Sequence, residues 1–125
     1  MMAKTSAEYS KIAREKHKNN DKYRLRKLLE AARVRAKRNN IVCDLTLEDL
    51  IDLFPKDKIC PVLNIPLFWG NSGKGNRDHS PSLDKINPKG AYSKDNVCII
   101  SWRANMIKSD ATFKEIEAIY WYMKA

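Results

Sequence analysis

The segment SPSLDKINPKGAYSKDNVCIISWRAN, Ser80 to Asn105, carries one acid and two amides where the chain changes direction. Asp84 ends a run with strand character, Asn96 opens another, and Asn105 lies nine residues further on, at the start of a helical pattern. A hairpin returns the end of its first strand, and the helix after its second, to one edge, so Asp84 and Asn105 can face the same point. Both side chains offer oxygen. Oxygen donors suit a hard divalent ion, Mg²⁺ or Mn²⁺, and leave positions for water and a phosphate oxygen. Such an ion polarises a phosphate ester and stabilises the departing oxygen. Asn96 has a different use, pinning the intervening loop by side-chain to backbone hydrogen bonds. Plainer roles compete with these: a turn cap for Asp84, and a brace to the hairpin for Asn105.

The elements that must hold these residues follow from pattern and capping chemistry. PSLDKI and VCIIS are strand candidates joined by the polar NPKGAYSKDN. Ser101 caps a helix in WRANMIKSD, and Thr112 with Glu115 makes a capping box for a last helix carrying Phe113, Ile116, Ile119, Tyr120 and Met123. Upstream, Leu25, Leu28, Leu29, Ala32 and Ala36 recur at helical spacing among arginines and lysines, which predicts a basic amphipathic helix from Tyr23 to a stop at Asn39-Asn40. DLTLEDLIDLFP predicts a short buried helix, capped by Thr46 with Asp49, striped by Leu47, Leu50, Ile51 and Phe54, and ended by Pro55. KICPVLNIPLFWG, with two prolines, fits an irregular hairpin. The first twenty residues have no strong apolar pattern, and fraying or separate movement is expected there. GNSGKGNRDHSP is a loop by composition. Its Gly70, Gly73 and Gly75 make no phosphate loop, since no strand runs directly into a helix bearing the Lys-Ser/Thr pair. The expected architecture is α+β without repeats, with a basic helical arm over residues 1–40 and a globular part over 41–125.

Charge narrows the partners. Lys and Arg number 24 against 15 Asp and Glu in 125 residues, and the whole surplus lies in residues 1–40. A dense positive segment beside a neutral remainder marks a polyanion binder, because each neutralised phosphate releases condensed counterions. Nucleic acid is the leading partner, with Arg33, Arg35, Lys37 and Arg38 as candidate phosphate contacts; a solvated helix face is the plainer alternative. No run of 18 apolar residues and no secretory apolar core is present, so a cytoplasmic protein without membrane attachment is expected. Cys43, Cys60 and Cys98 are odd in number and widely spaced, which argues against a disulfide framework and a four-thiolate zinc site.

Residues 43–112 resemble the HNH, or ββα-metal, endonucleases, especially small phage-type members, in which a hairpin and the following helix clamp one divalent ion. Asp84 in DKINP sits like the acid of that family's DHIxP, Asn96 in KDNV like the asparagine opening the second strand, and Asn105 like the final His or Asn. The resemblance implies a ββα-metal core and a metal-dependent DNA endonuclease in which Asp84 and Asn105 bind one Mg²⁺ or Mn²⁺. It implies that the hairpin and helix lie along the minor groove while the basic helix tracks the backbone. Arg103 and Lys108 flank Asn105 and are candidate phosphate contacts, with ordinary helix-surface charges as the alternative.

The chain departs from that pattern twice. Lys85 stands where the family has its general-base histidine, and a lysine is a poor base at neutral pH. His79 lies five residues before Asp84, which leaves two registers open. In one, Asp84 binds metal and His79 swings in from the loop as the base. In the other, Asp78-His79 is the family's Asp-His pair and Asp84 is a second acid or structural. The strand character of SLDKI favours Asp84 as the ligand, giving a catalytic set of His79, Asp84, Lys85, Asn96 and Asn105. Second, the zinc-holding cysteine pairs of many members are reduced to Cys60, with Leu63, Ser101 and Ala104 at the other positions. No structural zinc is expected, and packing of Leu63, Ile65, Leu67, Trp69 and Trp102 is expected in its place. An HNH-like module that binds DNA without cutting, favoured by Lys85, and a protein-interaction factor with a basic arm stay open as other functions.

Overall fold

Capping chemistry sets the ends of the helices. The computed structural model describes residues 3–17, 20–70 and 77–125; the expected glycine loop at 71–76 and the junction at Asn19 lie outside them. Helix α1 spans Ser6–His17 and α2 spans Asp21–Arg38. Asn20 starts α2 two residues earlier than the apolar pattern suggests, because its Oδ1 accepts the Tyr23 N–H at 3.1 Å. The predicted stop is also there. Asn40 takes φ 53°, and the N–H groups of Asn40 and Ile41 donate to the carbonyls of Lys37 and Ala36, at 3.4 and 2.8 Å. Helix α3, Leu47–Leu53, opens with a reciprocal box between Thr46 and Asp49. Its stripe is narrower than predicted: Leu50 is buried, while Ile51, about 100° further round the helix, is exposed.

The KICPVLNIPLFWG segment folds as an irregular hairpin. The N–H groups of Cys60 and Leu67 donate to the carbonyls of Ile65 and Lys58, and only Ile59 and Pro66 make a bridge. Pro66 has no N–H to extend the ladder. Strands β1 (Pro81–Lys85) and β2 (Val97–Ser101) pair antiparallel, with Leu83 opposite Ile99 and Asp84 opposite Cys98. Short turns of the 3-10 type at Arg77–His79 and Lys94–Asn96 lead into them. Helices α4 (Trp102–Lys108) and α5 (Phe113–Lys124) follow. The fold is α+β, with a two-stranded sheet.

Period-two alternation gives the sheet two occupied faces. Leu83, Val97 and Ile99 join Leu25, Leu29, Ala32 and Ala36 of α2, together with Leu45, Leu50 and Tyr92. Each such leucine is worth about 1.5–3 kcal/mol when fully buried. One core therefore runs across residue 40, and α2 is built into it despite its charge. Ile100 joins Cys60, Leu67 and Ala104 in a second cluster, with Ile65 and Cys98 packed on it. Of the residues expected to substitute for zinc, Ile65 and Leu67 serve there, but Leu63 is exposed. Trp69 packs on the first cluster instead, where its indole N–H finds the Asp21 carboxylate at 2.7 Å. Trp102 lies under the Arg77 guanidinium, at 4.4 Å.

Helix α5 is closed by the expected Thr112–Glu115 box, yet none of its residues is buried. No described helix is long and apolar enough to cross a membrane.

Candidate metal and phosphate site

Among the described residues β1 has a strand neighbour on one side only, and its other side borders a cleft of about 320 Å³. Arg35 of α2, Ser82, Asp84 and Lys85 of β1, and Asn105 and Lys108 of α4 line it. Ser82 and Asp84 share a face of the strand because they are two apart. Asn105 and Lys108 share a face of α4 because they are three apart. Ser101 holds that helix in place, its Oγ accepting the Ala104 N–H at 3.1 Å while Ala104 is buried.

The acid and the amide thus reach one cleft, each already engaged. Lys108 Nζ donates to Asp84 Oδ2 at 2.7 Å and to the Lys85 carbonyl at 2.6 Å. With the Asp84 side chain 13% exposed and that of Lys108 29%, the pair is largely shielded from water. Asn105 donates from Nδ2 to Ser82 Oγ at 2.7 Å, so its amide oxygen, the atom that ligates hard cations, stays outside that bond. Arg35, Lys85 and Lys108 against the single carboxylate of Asp84 leave the cleft positive, which suits a phosphate.

Lys85 and Asn96 together organise the loop between the strands. Lys85 Nζ donates to the carbonyls of Pro88 (2.9 Å) and Gly90 (3.3 Å) and sits 4.8 Å from the centre of the Tyr92 ring. Asn96 accepts the Asn87 N–H and donates to the carbonyls of Asn87 and Ala91, at 3.0, 3.2 and 2.9 Å. Four loop carbonyls thus face two side chains. Gly90 is required by this arrangement, because a Cβ there would stand 2.6 Å from Asn96 Nδ2. Gly90→Ala is expected to destabilise the protein by about 1–3 kcal/mol in urea unfolding. The Gly90→Ala/Asn96→Ala pair is expected to cost clearly less than the sum of its single changes, since the clash vanishes with the amide.

His79 is not part of the cleft. Its Nδ1–H donates to the Pro66 carbonyl at 2.7 Å, and its ring stacks on Phe68 with centroids 4.6 Å apart. Asp84 lies three residues past the start of β1, roughly 10 Å further along, so the swing that would bring His79 to it requires both contacts to break. Among the candidate phosphate contacts, Arg35 is at the cleft, where its Nε donates to the Tyr92 hydroxyl at 3.2 Å. Arg33 is exposed but tied to the Leu45 carbonyl, whereas Lys37, Arg38 and Arg103 are exposed side chains. Sequence reasoning missed Ser82 and Tyr92. The first was findable, since a hydroxyl two residues before Asp84 on a strand must share its face.

Among the described residues, no group of three or more His, Cys, Asp or Glu side chains could hold a metal ion. The oxygens at the cleft include one carboxylate, one amide, one backbone carbonyl and the hydroxyls of Ser82 and Tyr92. On the same face of the sheet, which carries Asp84, Cys98 and Ile100, the four positions of the expected zinc pairs converge with one thiol among them. Cys60 Sγ accepts the N–H groups of Leu63 (3.5 Å) and Ser101 (3.2 Å) and is buried with Ala104. Burial alone would raise the Cys60 thiol, but these N–H groups, led by that of Leu63, outweigh it and draw its pKa below the ordinary value. Burial pushes the Cys98 thiol up, and the Asp84 carboxylate beside it adds to the shift, so Cys98 faces the acid as a neutral group. No protein-family model, curated protein or solved structure was found to match this chain.

Proposed function

We propose that the chain is a metal-dependent DNA endonuclease of the ββα-metal class, with β1, β2 and α4 as its core and Asp84 and Asn105 as ligands of a single Mg²⁺ or Mn²⁺. One observation carries this reading: an acid near the end of β1 and an amide on α4 line the same positive cleft on the open side of a hairpin. The convergence of Cys60, Leu63, Ser101 and Ala104, a zinc knuckle's positions with one of its four thiols, supports the class.

The donor chemistry fits a hard cation. The ammonium of Lys108 already rests between Asp84 Oδ2 and the Lys85 carbonyl, two oxygens that such an ion also takes. When bound, the ion supplies Lewis acidity to the phosphate and charge to the leaving oxygen. The protein supplies the rest. Asp84 contributes the negative charge, and Ser82 orients the Asn105 amide so that its oxygen is the end left for ligation. Lys85 and Asn96 hold the loop that walls the cleft. Arg35, steadied by Tyr92, is positioned for a phosphate beside the scissile one, while Arg33, Lys37, Arg38 and Arg103 extend the positive surface along the backbone. Such contacts position the duplex without reading its sequence.

A second reading, an HNH-like protein that binds DNA without cutting it, is favoured by a specific feature. Lys85 is committed to two loop carbonyls, and His79, although its Nε2 is left as an acceptor when Nδ1–H donates to Pro66, is held outside the cleft, so neither takes a proton from water there in this arrangement. Incubation with supercoiled plasmid separates the two. Nicked circles in Mg²⁺ or Mn²⁺, and none in EDTA, are the expected outcome; retention on DNA without nicking in any metal selects the second reading. In either case about four phosphate contacts make affinity fall roughly a hundredfold between about 50 and 200 mM salt. Absence of DNA retention at low salt sinks both readings and leaves a protein-interaction factor.

A further inference from the structure

Helix α5 is properly capped and strongly patterned, yet among the described residues none of its apolar side chains is buried. Phe113, Ile116, Tyr120 and Met123 repeat at the three-four-three spacing of a coiled-coil seam, and Ile119 widens the stripe to about 120° at 100° per residue. A stripe of that width ordinarily faces a core. Here Phe113 is 80% exposed, Met123 76%, and the flanking Trp121 and Tyr122 63% and 82%. At about 200 Å² for a fully exposed aromatic side chain and somewhat less for Ile and Met, the stripe itself leaves on the order of 550 Å² of apolar side chain in water, and Trp121 and Tyr122, beyond its two edges, bring the helix to roughly 900 Å². The largest apolar patch of an ordinary monomer is about 300–600 Å², and one side of a stable protein interface buries about 800 Å².

Charge selects the occupant. The helix carries Lys114, Glu115, Glu117 and Lys124 and is electrically neutral, in a chain of net charge +9. It offers a polyanion nothing to hold, and it lacks the row of cations with which a helix settles on anionic lipid. Its neutrality also lets two strongly positive copies meet there without an excess of like charge in the contact itself. At its first turn, Phe113 and Ile116 border a hollow of about 680 Å³ whose other wall includes Ile86 and Pro88.

We propose that α5 pairs antiparallel with α5 of a second copy about a twofold axis. The two stripes then cover one another, and the partner's C-terminal turn, with its exposed aromatic and methionine side chains, comes beside the hollow at Phe113. Antiparallel pairing also sets the two helix dipoles head to tail. The contact is isologous and closed, so it stops at two.

Sedimentation equilibrium of the full chain tests this without reference to nuclease activity. The wild-type protein is expected at twice its 14.5 kDa chain mass at concentrations up to about 100 μM, where an interface of this size associates. The Ile116→Glu/Tyr120→Glu variant is expected at the single-chain mass, with its dimer dissociation constant raised at least about a hundredfold. Because neither residue is buried in the chain itself, methyl NMR signals of Leu25, Leu83 and Ile99 are expected to stay at their folded positions in that variant. A wild-type protein that stays at single-chain mass at every concentration overturns the proposal and leaves the face to a different protein. A dimer that survives both glutamates also overturns it, because the contact then lies elsewhere.

Discussion

Asp84→Asn is expected to abolish metal-dependent nicking, by at least about a thousandfold, while leaving plasmid binding at low salt unchanged or slightly tighter. A directly ligating carboxylate contributes several kcal/mol of charge stabilisation, and about 4 kcal/mol corresponds to three decades of rate. The substitution keeps the shape of the side chain, and an amide oxygen still accepts from the Lys108 ammonium, so the cost to stability is about 1 kcal/mol. DNA affinity does not suffer, because the change removes a negative charge from a cleft that already holds Arg35, Lys85 and Lys108. His79→Ala is the matched control. With its ring on Phe68 and its N–H on Pro66, that histidine is expected to change nicking by no more than about twofold, against the 10²–10⁴-fold effect of losing a general base. Gel quantification of nicked and supercoiled plasmid over time reads both. An Asp84→Asn protein that nicks at the wild-type rate in Mg²⁺ removes Asp84 from the reaction, and a large loss in His79→Ala revives the alternative register.

What could be read from the residues divides by the range of the interactions. The boxes of Thr46 with Asp49 and Thr112 with Glu115, the Ser101 cap and the stop at Asn40 each close within a few residues, and all appear where local chemistry puts them. Strand character likewise gives β1 and β2, the first by the alternation in PSLDK and the second by the apolar run VCII. The contacts that define the cleft are different in kind. Lys108 reaches Asp84 across 24 positions and Arg35 reaches Tyr92 across 57, so neither leaves a local spacing to detect. Lys85 shows the limit well: its type argues against a base, but its task, holding the carbonyls of Pro88 and Gly90, depends on a loop whose course only the folded chain reveals. Helix α2 hides its second function behind its first. Its cations point to a partner outside the molecule, while Leu25, Leu29, Ala32 and Ala36 commit the same helix to the core and thereby set Arg35 at the cleft. In α5 the pattern announces a helix and an apolar face but carries no record of what covers that face.

Lys108→Met is the second change with a large expected effect, and its readout does not depend on cleavage. The ammonium satisfies the carboxylate of Asp84 and the carbonyl of Lys85 at once, in a partly buried place. Methionine keeps the unbranched stem and removes the charge, which leaves Asp84 without its partner. In EDTA the variant is expected to be less stable than wild type by about 1–3 kcal/mol, short of the 3–5 kcal/mol of a fully buried pair because water still reaches the site. The same vacated oxygens are what a divalent cation needs. Two like charges about 4 Å apart repel by about 4 kcal/mol at the effective dielectric of a protein surface, and more for a divalent ion, so removing the ammonium is expected to tighten Mn²⁺ binding at least tenfold. Calorimetric titration with Mn²⁺ measures that change directly. Thermal unfolding checks it independently, since an ion that binds only the folded state raises stability by RT ln(1 + [L]/Kd), and the variant is expected to recover in Mn²⁺ more than wild type gains. If Mn²⁺ affinity is unaltered, the ion does not sit on Asp84. If the variant loses stability and Mn²⁺ restores it, Lys108 and the metal are rivals for one carboxylate, and the lysine sets how much free cation the site requires.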